Sequence, residues 1–129
     1  MGDCMKFRSI CEDHLYRKAY AKGKRFVTPA LAVYVLPDYR ANVLMKAHPR
    51  KLKVNRIGLT VTKKIGGAVT RSRVRRILRE AYRQTDRETP LRRGFLIVLC
   101  AREKTKEKKS TDLARELSFA MRKLDMIAK

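Results

Sequence analysis

Arg71, Ser72, Arg73, Arg75, Arg76 and Arg79 fall within nine residues of one another, and Lys63 and Lys64 stand just before them. Groups at this density suit one kind of chemistry: guanidinium pairs bidentately with phosphate oxygens, and an ammonium adds a point charge. From Tyr39 to Arg79 there are thirteen Lys or Arg and no Asp or Glu, so the stretch repels itself unless a polyanion neutralises it. A charge run is more often a solvated face, but such faces mix signs, and Glu80 is the one acid between Thr70 and Arg83. Nucleic-acid phosphate is the expected partner.

A second set of side chains offers a different contact. Tyr16 and Tyr20 are one helical turn apart, and Tyr34 lies in a strand-like segment beside Ala30 and Ala32. Were the first helix to lie along the sheet, the three rings would line a shallow groove able to stack unpaired bases, at ~1–3 kcal/mol each. From spacing alone, a half-buried core is the commoner fate of aromatics at i and i+4.

A protein-based active site finds little support. His14 and His48 belong to no nucleophile or metal pattern, and Glu12-Asp13-His14 reads as an acidic first helical turn. The glycines of Lys63-Lys64-Ile65-Gly66-Gly67 lack Walker spacing, and no carboxylate cluster exists to hold metal ions for a nuclease. No catalytic residue and no metal ligand are expected.

The elements that must position these groups are partly legible. Ser9 and Glu12 have capping-box spacing, and Leu15, Tyr16, Ala19 and Tyr20 follow at helical period up to Gly23, which predicts a helix over about residues 10–22. Ala30–Leu36 is a strand between Pro29 and Pro37, with Leu31, Val33 and Val35 on one face and Ala30, Ala32 and Tyr34 on the other. The basic connection 38–55 leaves room for a short strand at Val43–Met45. Arg56–Thr62 alternates, with Ile57, Leu59 and Val61 inward and Gly58, Thr60 and Thr62 outward.

A helix over about 68–83 follows. At 100° per residue, Arg71, Arg75, Arg76, Arg79 and Arg83 fall within an arc of roughly 140°, opposite Val74, Ile77, Leu78, Ala81 and Tyr82. The continuous apolar run Phe95–Ala101 predicts a strand covered on both faces. After a charged loop from Glu103 to Lys109, Leu113, Leu117, Ala120, Met121 and Leu124 stripe a last helix over about 111–125. The order predicts an α+β domain, a two-layer α/β sandwich of αββ(β)αβα type with helices on a mixed sheet.

Length and composition agree. The 129 residues make one domain (1–129), with a flexible N-terminus expected over about 1–8; 44% hydrophobic content is enough for a core, so the net charge of +21 sits on a folded body. The longest apolar run is far short of the ~18 residues of a membrane span, and Met1–Ile10 has neither a secretory h-region nor, with Lys6 in place, a myristoylation motif. Cys4, Cys11 and Cys100 lack metal-ligand spacing, and Cys100 reads as an inert core thiol. A cytoplasmic protein with no membrane partner is expected.

The block from Ile57 to Val69, continued through Arg71-Ser72-Arg73-Val74-Arg75-Arg76-Ile77-Leu78-Arg79-Glu80-Ala81-Tyr82-Arg83, closely resembles the bacterial ribonuclease P protein subunit. The likeness extends to the helix ending at Gly23 and to the late strand ending Ala101-Arg102. Ser72 stands where that family usually has Asn, Tyr16 and Tyr20 where it commonly has Phe, and the 38–55 connection is longer than typical.

The resemblance implies a ribonucleoprotein in which a catalytic RNA subunit removes the 5′ leader of precursor tRNA, using Mg²⁺ held mainly by the RNA. The polypeptide is then a non-catalytic cofactor that needs no obligate protein partner. Lys63, Lys64, Arg71, Ser72, Arg73, Arg75, Arg76 and Arg79 would meet the RNA subunit. Tyr16, Tyr20 and Tyr34 would line the leader cleft, which reverses the preference for core. A left-handed βαβ crossover, against the usual rule, is implied as well. A ribosomal or other structural RNA-binding protein would share the charge and size, while a stand-alone nuclease would need the missing carboxylates.

Overall fold

The computed structural model describes residues 7–9, 13–47, 50 and 54–127. Its centre is β5 (Phe95–Ala101), the continuous apolar run, flanked by parallel β4 (Asn55–Thr60) and antiparallel β3 (Leu31–Pro37). Two short strands close the edges. β1 (Phe7–Ser9) pairs parallel with β4 and β2 (Lys24–Val27) antiparallel with β3, giving the order β1-β4-β5-β3-β2. The sheet is mixed and the class α+β, as expected.

Strand alternation sorts the two faces. Leu31, Val33 and Val35 of β3, Ile57 of β4, and Ile97 and Leu99 of β5 are buried with the apolar stripes of α3 (Ala68–Glu88) and α4 (Ser110–Lys123). Leu96 and Val98 of β5 point the other way and are buried by Leu15 and Ala19 of α1 (Asp13–Lys22), with Tyr16, Tyr34, Leu36 and Cys100 packed around them. α3 and α4 thus form the second layer, while α1 covers part of the opposite face. β4, α3 and β5 make the expected βαβ unit, with the strands parallel neighbours.

Several boundaries differ from the sequence expectation, each for a local reason. The segment Val43–Met45 lies within a helix, α2 (Ala41–Ala47), not a strand; Ala, Leu, Met and Lys favour helix, and seven residues carry too little period to decide. Ser9 is not a helix cap, because its backbone pairs with Ile57 in β1, and α1 begins at Asp13. Of the N-terminus expected to be flexible, residues 1–6 lie outside the described residues, while Phe7 and Arg8 belong to β1. Glu12, the other half of the supposed capping box, also lies outside them. Much of the charged loop before α4 winds into a 3-10 turn, Glu103–Glu107, held by Thr105, whose hydroxyl donates to the Ala30 carbonyl.

α3 runs five residues past its predicted end because Thr85 and Asp86 are buried. Thr85 donates to the Ala114 carbonyl of α4 at 3.2 Å. Asp86 accepts from the Leu91 N–H at 3.1 Å and from Arg93 at 2.8 Å, which ties down the chain beyond the helix. Buried Asn55 completes the brace, donating to the Tyr82 hydroxyl at 3.0 Å and the Arg92 carbonyl at 2.9 Å and accepting from the Phe95 N–H at 3.0 Å.

On the α1 face, Arg56 and Asp38 form a buried ion pair, Nε to Oδ2 at 2.7 Å and Nη2 to Oδ1 at 2.8 Å. Burial alone would raise the Asp38 pKa, but the hydrogen bonds from Arg56 and the Arg40 N–H outweigh it and hold the carboxyl below its usual value. Asp38→Asn is expected to cost about 3–5 kcal/mol, because it removes the carboxylate charge that offsets a buried guanidinium. A depressed carboxyl stabilises fully above its unfolded pKa of ~3.9 and ceases to as pH falls through the lower folded value. Urea melts from about pH 7 down to about pH 2 should therefore show the wild-type advantage constant near neutrality and shrinking in acid.

Candidate nucleic-acid interface

Two separate surfaces gather the residues singled out from the sequence, one on each side of the sheet. The first is a flank of α3. Val74, Ile77, Leu78, Ala81 and Tyr82 face the sheet, which leaves Arg71 and Arg75 half-buried at the margin and Ser72, Arg76 and Arg79 exposed. Arg75, Arg76 and Arg79 make no ion pair with any described carboxylate. The Nε of Arg71 is buried without a hydrogen-bond partner among the described residues.

The start of α3 deepens the positive potential. Its N-cap is Gly67, which supplies no side-chain acceptor, and its first turn holds no acid. The positive end of the helix dipole therefore adds to the arginines rather than being offset. Gly66 has φ +155, and a Cβ there would meet the Thr70 side chain, so the turn before the helix requires glycine. Buried Ile65 anchors that turn, while Lys63 and Lys64 just before it are exposed.

Arg73 stands apart from this row. It projects from the other flank of α3 and donates to the Lys106 carbonyl at 3.3 Å. The helical arc had already left it out; its nearness in the chain and the family resemblance grouped it with the others.

The second surface lies between α1 and the sheet. Tyr16 packs against Gly58, where a Cβ would stand 2.6 Å from a ring carbon. Tyr20 meets Tyr34 edge-on with ring centroids 4.9 Å apart, and its hydroxyl shares a 2.6 Å hydrogen bond with the Thr60 hydroxyl. The Cys100 thiol donates to the same tyrosine oxygen at 3.6 Å. Burial pushes the Tyr20 pKa up to about 12, against the opposing bond with Thr60, so the phenol stays protonated at neutral pH.

The three tyrosines therefore do meet, and they are not core in the ordinary sense. Tyr20 keeps 40% exposure and Tyr16 and Tyr34 are half-buried, so the rings remain partly accessible beside half-buried Ala32 and Cys100, which pair across β3 and β5. Cys100, expected as an inert core thiol, is half-buried against the α1-side core with its thiol on the Tyr20 hydroxyl, and burial pushes its pKa up and keeps it protonated. Thr60 and Gly58 were read as outward-facing; they face the α1 side and help to build the groove. A glycine inside an alternating strand was the available signal, since it marks close approach by another group.

No three His, Cys, Asp or Glu side chains come together among the described residues. Asp38 and Asp86 each already bind an arginine, so these carboxylates do not fit a Mg²⁺ cage. No described helix is long and apolar enough to cross a membrane.

An arginine-flanked βαβ unit with three partly exposed tyrosines behind it defines an α+β protein whose two faces differ sharply in chemistry. Residues 5–125 match the family model described as Ribonuclease P. The chain is 31% identical over 124 residues to the ribonuclease P protein component of Clostridioides difficile, covering 96% of this chain and 97% of that one. Among solved structures it resembles the RNase P protein of Staphylococcus aureus, with a TM-score of 0.70 at 19% identity over 93% of this chain and 97% of that one. It also resembles that of Thermotoga maritima, with a TM-score of 0.64 at 22% identity over 89% and 96%. The chain belongs to the ribonuclease P protein family.

The packing of Tyr16 on Gly58 is directly testable. Gly58→Ala forces the ring off the sheet and is expected to cost about 1–3 kcal/mol. Combining it with Tyr16→Ala should give a loss well short of the sum, because the second change removes what the new methyl strikes. Additive losses in chemical melts would place the strain elsewhere.

Proposed function

We propose that this chain is the protein cofactor of a ribonuclease P holoenzyme. In this reading it binds a catalytic RNA subunit and the 5′ leader of precursor tRNA, and the RNA performs the Mg²⁺-dependent cleavage. The observation that carries the reading is the separation of two unlike surfaces in a member of this family. An acid-free arginine flank suits a folded phosphate backbone, and a shallow tyrosine groove suits an unpaired strand. Because the sheet lies between them, one protein can hold both RNAs at once.

Each surface contributes in a distinct way. Arg75, Arg76 and Arg79, with Arg71, Ser72, Lys63 and Lys64, neutralise RNA-subunit phosphates; their alignment on one helix fixes register as well as charge. Arg73 assists from the opposite flank once released from the Lys106 carbonyl. Tyr16, Tyr20 and Tyr34 stack leader bases without reading sequence, since every base offers a π-face. Mg²⁺ is held mainly by the RNA subunit. The holoenzyme acts in the cytoplasm and requires no further protein.

The decisive assay follows leader release from precursor tRNA by RNA-free protein, by protein with a bacterial ribonuclease P RNA, and by protein with an unrelated structured RNA. Cleavage is expected in the second case alone at low Mg²⁺. Steady cleavage by rigorously purified protein would sink the idea.

Two variants divide the surfaces. Arg75→Ala with Arg76→Ala should weaken assembly with the RNA subunit more than Arg115→Ala with Arg122→Ala on α4, measured at physiological salt, where bulk charge is screened beyond roughly 8 Å. Equal losses would mean that only net charge matters. Tyr20→Ala should lower affinity for precursor tRNA by about 1–3 kcal/mol and leave mature tRNA nearly untouched. A steep drop in melting temperature with equal weakening on both substrates would make the ring structural instead.

A further inference from the structure

Tyr39 is the most exposed aromatic among the described residues and belongs to neither surface. It stands two residues beyond β3 and is 64% exposed, and the Lys18 Nζ lies 5.1 Å from its ring centroid. Lys18 is two residues from both Tyr16 and Tyr20, so it projects about 160° around α1 from each of them. Tyr39 therefore stands on the far flank of α1 from the tyrosine groove.

Single exposed aromatics are common on protein surfaces and need no explanation. Tyr39 differs in how it is held and in what surrounds it. The Asp38 N–H donates to the Gly94 carbonyl at 2.9 Å, and its buried carboxylate accepts both Arg56 bonds and the Arg40 N–H at 2.9 Å. The negative charge is thereby drawn into the protein, while Tyr39 and exposed Arg40 are turned outward on a fixed turn. From Tyr39 to Arg79 the chain supplies no acid. An exposed ring with one cation over it and a second next to it in the chain, on a strongly basic protein, is the makeup of a base-stacking platform with phosphate contacts at hand.

We propose that Tyr39, Lys18 and Arg40 form a second stacking site, which takes an unpaired nucleotide on the opposite flank of α1 from the tyrosine groove. The ring receives the base, and the ammonium and guanidinium receive its flanking phosphates. Two RNAs can supply that nucleotide: a leader that continues across α1, or a single-stranded segment of the RNA subunit. The proposal rests on the RNA-binding role given above, but it fails separately from it.

The test uses the full chain reconstituted with a bacterial ribonuclease P RNA, precursor tRNAs with short and long leaders, and mature tRNA. Tyr39→Ala is expected to weaken binding about five- to hundredfold, the range of one base–aromatic stack, while Tyr39→Phe retains it. A loss confined to long leaders supports the site and makes the leader its source. A loss in assembly with the RNA subunit also supports it and makes that RNA the source. Unchanged affinity in both, with Tyr20→Ala still selective for precursor, overturns the second site and leaves the holoenzyme role standing. Equal losses from Ala and Phe together with a lowered melting temperature overturn it too, since the ring would then be structural.

Discussion

Everything in this fold follows from β5 having to be dry on both sides. Its run Leu96-Ile97-Val98-Leu99 alternates between two cores, and all four residues are fully buried. At about 25 cal/mol per Å² of apolar surface, leaving either face wet would forfeit several kcal/mol. Helices are therefore required on both sides of the sheet. α3 and α4 take one face and α1 takes the other, which is why the arginine flank and the tyrosine groove cannot share a surface.

Within that frame, the arginine flank is held at some cost to the free protein. The start of α3 gathers like charges at the positive end of a helix and supplies no capping side chain, an arrangement that folding alone would not favour. Around α1, by contrast, local packing is close. Tyr16 fits only because position 58 has no Cβ, and the Tyr20 hydroxyl is fixed by Thr60. The groove is preorganised, so a strand that enters it orders few protein side chains on arrival.

Much of this was legible in the sequence, and the failures have physical causes. The Phe95–Ala101 run and the alternation of Leu31, Val33 and Val35 specify burial directly, and the opposition of Val74, Ile77 and Leu78 to the arginines specifies which side of α3 is wet. β1 and β2 were missed because strands of three and four residues are defined by the neighbour they pair with rather than by their own pattern. α2 and the start of α1 were misread because local signals were weak or overridden by pairing with β4. The tyrosines were ambiguous because helical spacing places them on one face without saying whether that face is covered. Gly58 held the answer, but only the register of β4 against β5 reveals which ring it admits. Asp38 and Arg56, eighteen positions apart in the chain, carry no sequence sign of their pairing.

The distribution of acids has a kinetic consequence. No carboxylate residue lies between Asp38, which is turned inward, and Glu80, while the acids of the 3-10 turn sit near the start of α3, where Arg73 meets the Lys106 carbonyl. The first half of α3 is thus purely cationic, while its second half carries Glu80, Asp86 and Glu88, so the charge gradient runs along a helix of about 31 Å. A body charged in this way feels a torque in the field of a polyanion as well as a pull. On the proposed role it would arrive already turned, with the arginine flank leading, and fewer collisions would be wasted on orientations that must let go and try again.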